Sequence, residues 1–159
     1  MSSKQQQFQI ELIDSRDMRY PVTLMCESSY WSEGEFSKHS CTISIAIRGK
    51  QISCSDRDFF EAFCRVRERL ENEGLIPLCY GASRNVFPSG MLRDMADGLQ
   101  AYRLVMGQRV GRGDAVSIFD MGPDIEPVSV QVQANFYRQW IESTWSKAAA
   151  EQALGADSP

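Results

Sequence analysis

Few side chains in this chain are of a type and spacing to do chemistry. His39 is the single histidine. A Cys/His nucleophile pair would therefore have to join it to Cys41, two positions on, or to another cysteine brought near by folding. The bland alternative is an exposed loop histidine. Asp94 and Asp97 fall three apart on one face of a short helix beside Arg93, which suits acid/base work only where a pocket shifts a carboxylate pKa; surface charge is the usual explanation of such a pair. Gly107, Gly111 and Gly113 with Arg109 and Arg112 have the composition of a phosphate cradle, but their spacing fits neither G-x-x-x-x-G-K-[ST] nor G-x-G-x-x-G, and a flexible hairpin loop accounts for them. In a phosphate- or nucleotide-binding role, Arg84, Arg93 and Arg109 would be the side chains holding the anion. Asp120, Asp124 and Glu126 crowd one turn. Hard cations need more oxygen ligands at tighter spacing than this, so a solvated acidic turn, or a patch that meets a basic partner, ranks ahead of a metal site. The residues themselves assemble no catalytic set, no metal site and no cofactor site.

A binding surface is better supported. The segment Ser28 to Ser40, SSYWSEGEFSKHS, sets Tyr30, Trp31 and Phe36 among serines, glutamates and a glycine between two strand candidates. Large aromatics supply contact area at low entropic cost and dominate interface hot spots. Equally, they could fold back to cover one end of a sheet.

The elements that must position these residues are partly legible. Phe8, Ile10 and Leu12 alternate with polar neighbours, as do Val22, Leu24 and Cys26, and Ile43, Ile45 and Ile47, so three strands are expected. Gly49 within Arg48-Gly49-Lys50-Gln51 is expected at the first central position of a tight hairpin leading into a short strand, Gln51 to Cys54. Ser55 is the expected N-cap of a helix in which Phe59, Phe60, Phe63, Val66 and Leu70 recur at helical spacing up to a stop at Gly74. Leu75 to Tyr80 reads as a buried strand, and Pro88-Ser89-Gly90 as the lead into a short helix weakened by Gly98. Ala101 to Met106 and Ala115 to Phe119 read as strands joined by the glycine-rich turn. Ser129 caps a last helix whose Val130, Ala134, Tyr137, Ile141 and Trp145 share a face, widened by Phe136 and Trp140. That face needs a core or a partner, and a homodimer through Trp140 and Trp145 is one way to cover it. The predicted architecture is α+β, a mostly antiparallel sheet packed against the helices Asp56 to Glu73 and Val130 to Trp145. Residues 1–147 form one domain in this scheme, with 148–159 a frayed tail.

Composition narrows the function class. The 159 residues carry 17 Lys+Arg against 21 Asp+Glu, a formal charge of -4 and a pI near 5.1, which gives no general pull toward nucleic acid or anionic lipid. The opening MSSKQQQFQI has no apolar core of signal-peptide length, and no apolar run reaches the roughly 18 residues of a membrane span. Five cysteines with no C-x-x-C pair argue against a disulfide framework and read as reduced thiols in a cytoplasmic protein.

The strings RNVFPSGMLRDMADGLQAY and VSIFDMGPDIEPVS, followed by Gln133-x-x-Phe136-x-x-x-Trp140, resemble a family of small bacterial cytosolic proteins associated with immunity proteins encoded beside polymorphic or contact-delivered toxins. The resemblance implies a non-catalytic protein that binds a cognate toxin domain and blocks its active site or substrate path. On that expectation Tyr30, Trp31 and Phe36, with the acidic turn Asp120, Asp124 and Glu126, form the toxin-binding surface. A small enzyme using the Ser83 to Arg93 and Gly107 to Asp114 loops is the alternative.

Overall fold

The computed structural model describes residues 2–156, with side chains through residue 146. Four long strands, β1 (Ser2–Ile13), β2 (Arg19–Glu33), β3 (Phe36–Ile47) and β4 (Lys50–Asp56), pair antiparallel in sequence order, and β5 (Ile76–Pro77) adds to the free side of β1. The period of two survives folding. Val22, Leu24, Cys26 and Ser28 of β2 are buried, as are Cys41, Ile43, Ile45 and Ile47 of β3, while the residues between them face outward. The outer face is a polar ladder: Gln5 donates to Glu27 at 2.7 Å, Gln9 to Thr23 at 2.8 Å, and the hydroxyls of Thr42 and Ser55, and of Ser44 and Ser53, pair at 2.6 and 2.9 Å.

Two turn details depart from expectation. Ile47 pairs with Lys50, so Arg48 is the first central turn residue and Gly49 the second, with φ of 52° and 74°. Both being left-handed fits a type I′ turn. Arg48 is held there by its guanidinium, which donates to the Glu73 carbonyl at 3.0 Å and lies over the Tyr20 ring. Ser55 is not a helix cap. It stays in β4, because β3 pairing extends to Asp56, and the cap of α1 (Phe59–Asn72) is Asp58, whose carboxylate accepts from the Glu61 N–H at 2.8 Å. Phe60, Phe63, Val66 and Leu70 of α1 are fully buried in the main core, each burial contributing about 1.5–3 kcal/mol. Gly74, at φ 72°, follows the helix end as anticipated.

The remainder forms a second layer. Of the expected Leu75 to Tyr80 strand only Ile76–Pro77 joins the sheet; proline offers no N–H to extend the ladder, and the chain turns through a 3-10 segment at Tyr80–Ala82. A short α2 (Gly90–Met95), capped by Ser89, ends before Gly98. A small antiparallel sheet collects β6 (Val86–Phe87), β7 (Gln100–Arg103) and β8 (Ala115–Ser117), shorter than the two strands expected there. The last helix, α3 (Val130–Ala156), takes Ser129 as its cap through the Val132 N–H, while the Val130 N–H donates to Glu71 of α1 at 2.8 Å. It meets α1 and β6, with Tyr137 stacked on Phe87 at 3.9 Å. The helical backbone passes Trp145 and continues to Ala156; the side chains of the tail expected at 148–159 lie outside the described residues, as do positions 157–159 altogether. The architecture is α+β.

Candidate functional site

The segment Ser28 to Ser40 is the tip of the β2–β3 hairpin rather than a loop. Gly34, at φ 62°, and Glu35 make its two-residue turn, closed by the Glu33 and Phe36 pair. Strand alternation then splits the three aromatics. Trp31 pairs with Lys38, and Phe36 with Glu33, so Trp31 and Phe36 are diagonal neighbours on the outer face. Phe36 is 74% exposed and Trp31 half-buried, and a Lys38 to Glu33 ion pair at 2.6 Å flanks them. Tyr30 faces the other way, onto the core side of the sheet.

There Tyr30 stacks on His39, its cross-strand partner, at 4.2 Å between ring centres and 10° between planes. His39 is a strand residue with a largely covered side chain, not a loop histidine. Cys41, the next inward residue on β3, places its sulfur 3.5 Å from His39 Nε2. Asp97 comes from the far side: its Oδ1 lies 3.7 Å from that nitrogen and accepts from the Tyr30 hydroxyl at 3.4 Å. The expected Asp94 and Asp97 helix face does not form, because α2 stops at Met95 and Asp97 turns back in the left-handed region at φ 52°. Its carbonyl accepts from the Phe59 N–H at 2.7 Å, and Gly98 beside it fits against Asp58 so closely that a Cβ there would stand 2.8 Å from Asp58 Oδ1.

This arrangement is not a nucleophile triad. Thiol and carboxylate approach one imidazole nitrogen, whereas base catalysis needs the orienting acid on the opposite one. Cys41 is also fully buried, and burial, reinforced by Asp97 and Asp58, pushes its thiol up to about 12.

The acidic turn is mostly committed to internal partners. Asp124 accepts from the Tyr80 hydroxyl at 2.7 Å, the main reason its carboxyl lies below the ordinary value, and from Arg103 at 3.3 Å. Glu126 binds Arg84 at 2.6 Å. Asp120 is exposed, and among the described residues it has no ion-pair partner. The three candidate phosphate ligands do not converge. Arg84 is held by Glu126 and lies over Phe136; Arg93 is paired to Asp58 at 3.0 Å and Glu61 at 2.9 Å between the Phe60 and Phe87 rings. Arg109 sits instead in an open apolar groove with Val110, Trp140, Thr144 and Trp145. Trp140 is occupied, its indole N–H shared by the carbonyls of Val105 and Gln108 at 3.1 and 3.0 Å, while Trp145 is 74% exposed.

No helix among the described residues is long and apolar enough to cross a membrane. Compared with protein families and with curated proteins, the chain matches none.

Proposed function

We propose that this chain is a non-catalytic binding protein of the immunity type, acting in the cytoplasm by occluding the active site or substrate path of a cognate toxin domain. The observation that carries the binding role is the outer face of the hairpin tip. There Trp31 and Phe36 adjoin one another on a largely polar sheet face, with Phe36 74% exposed. An aromatic pair on a projecting hairpin is the kind of anchor that fills a partner's pocket. Asp120 is the acidic-turn residue with no ion-pair partner among the described residues to give up on meeting a basic cleft. A phosphate-binding enzyme has less behind it, since Arg84 and Arg93 are committed to carboxylates.

The test is capture with the tagged full-length chain from its source cells, identification of any secreted-toxin domain, and calorimetry on the purified pair. A one-to-one complex weakened more than roughly thirtyfold by Trp31→Ala with Phe36→Ser supports the role, the loss expected of a hot spot worth about 2 kcal/mol or more. An undiminished affinity in the doubly substituted chain removes the tip from the interface, and recovery of a metabolic complex alone removes the immunity role.

A further inference from the structure

We propose that His39, Cys41 and Asp97 form a divalent-metal site, with zinc the best-suited ion, that ties the inner face of the β2–β3 hairpin to the turn after α2. The site owes nothing to what the hairpin tip binds. The three residues offer a nitrogen, a sulfur and a carboxylate oxygen all within 4.8 Å of one another. Zinc takes these donor types in tetrahedral array, with bonds of about 2.0–2.3 Å, which places neighbouring donor atoms roughly 3.4–3.6 Å apart. The distances from His39 Nε2 are 3.5 Å to Cys41 Sγ and 3.7 Å to Asp97 Oδ1. Two edges of the tetrahedron are therefore already near the required length.

The surroundings hold the donors in place. His39 and Cys41 are consecutive inward residues of β3, so strand geometry aims both at the same side. Asp97 reaches them only because its backbone adopts a left-handed conformation, anchored by the Phe59 N–H and by Gly98 packed on Asp58. Tyr30 covers the imidazole and donates to Asp97 Oδ1, the outer-shell role that orients ligating side chains. Access is open on one side: the side chains of His39 and Asp97 are 25% and 30% exposed, while the sulfur is buried. Asp97 supplies the negative charge beside the imidazole that favours a cation. On binding, the Cys41 thiol loses its proton to solvent and the thiolate takes the metal; no electron is transferred. The mixed donor set disfavours calcium and magnesium, which prefer oxygen alone. Three protein ligands leave a fourth position for water.

The experiment uses the full-length chain without a histidine tag, stripped with chelator and titrated with zinc by calorimetry, then with cobalt followed by absorption. The expected result is one zinc per chain, a sulfur-to-cobalt charge-transfer band, and a thermal midpoint raised by zinc. His39→Gln and Asp97→Asn, which keep size and, for asparagine, tolerance of the left-handed backbone, should each weaken zinc more than tenfold and abolish the zinc-dependent rise. Cys41→Ala should remove the charge-transfer band. Because Cys41 is core, its variant is judged only if circular dichroism shows it folded; the other two substitutions decide the matter without it. Less than half an equivalent of bound zinc, or affinity unchanged in both His39→Gln and Asp97→Asn, overturns the site.

Discussion

Arg67 of α1 donates to the side-chain oxygen of Gln133 of α3 at 2.6 Å, both residues being almost completely buried. Among the described residues no carboxylate pairs with this guanidinium; it donates also to the carbonyls of Gly81 and Val128, each at 3.0 Å. Gln133 in turn directs its amide at the carbonyls of Gly81, Ser83 and Val86, all at 2.9 Å. Burial lowers the arginine pKa from its ordinary value; the acceptors on its two terminal nitrogens are what keep the buried cation tolerable, while its Nε is buried without a partner among the described residues. The pair thus satisfies the backbone of the Tyr80–Ala82 turn and its sequel, and joins the two main helices through it.

Removing one member should cost more than a surface hydrogen bond. Gln133→Ala leaves an Arg67 donor and the Val86 carbonyl without this partner in the core, while the Gly81 carbonyl keeps Arg67 and the Ser83 carbonyl keeps the Val86 N–H, at about 1–3 kcal/mol for each buried group left unsatisfied. A loss of about 2–4 kcal/mol in denaturant unfolding is expected. A loss under about 1 kcal/mol would show that water replaces the amide and that the network is not a structural joint.

Gly98 and Gly107 share a left-handed φ, 73° and 74°, but differ in surroundings. A Cβ on Gly98 would press on Asp58 Oδ1 and the Phe60 nitrogen, disturbing the α1 cap, whereas one on Gly107 meets nothing within 4 Å. Gly107→Ala should therefore lose only the conformational term of about 1 kcal/mol. Gly98→Ala should lose that plus much of a cap worth about 0.5–2 kcal/mol and the clash itself. Equal losses in the two variants would refute the close-packing account.

How much of this was legible follows from the range of the interactions. The strands around Ile43 and Val22, helix α1 and the Ser129 cap are set by periodicity and local hydrogen bonds, and were readable. The choice of Asp58 over Ser55 as cap was not, because both residues cap well and only pairing of Cys41 with Asp56 across β3 and β4 decides it. The division of Tyr30 from Trp31 and Phe36 needed the strand period to be carried through a serine- and glutamate-rich stretch that reads as loop. The meeting of Asp97 with His39 and Cys41 depends on a left-handed residue fixed by a tertiary contact, which no local pattern announces. Arg67 and Gln133 did leave a signal: each sits on the apolar stripe of its helix, Arg67 one turn from Phe63 and Gln133 one turn from Tyr137, where a polar residue is out of place.

The thiols Cys26, Cys64 and Cys79 are each pushed up to about 12, by burial above all. At about pH 8 their thiolate fraction is then roughly one in ten thousand, against about a quarter for an unperturbed thiol. Alkylation of the native protein at these positions, followed by peptide mass spectrometry, should run roughly three orders of magnitude slower than in the unfolded chain. Fast modification of Cys79 under native conditions would mean that the Tyr80–Ala82 region opens readily despite the Arg67 and Gln133 joint.

Acid should loosen the fold through two carboxylates, half-buried Glu73 and exposed Asp124. Glu73 accepts from Lys50 at 2.6 Å, which with the Lys50 and Arg48 charges holds its carboxyl below the ordinary 4.5. Asp124 is held below 3.8 by the Tyr80 hydroxyl first and Arg103 after it. A carboxyl depressed in the folded state binds fewer protons folded than unfolded, so its stabilisation is complete above the unfolded value and is lost as pH falls through the folded one. Both losses therefore fall below pH 4.5, the higher of the two ordinary values. Because these groups face solvent, salt should also shrink them. Denaturant midpoints of the wild type should drop between about pH 6 and about pH 3, and the drop should be smaller in Glu73→Gln with Asp124→Asn. The substituted chain should be the weaker of the two at about pH 6, and the gap between them should narrow as pH falls toward about 3, as protonation removes the same interactions from wild type. An identical pH slope in both chains would place the acid sensitivity elsewhere, on Asp14 and Asp56, which are also depressed.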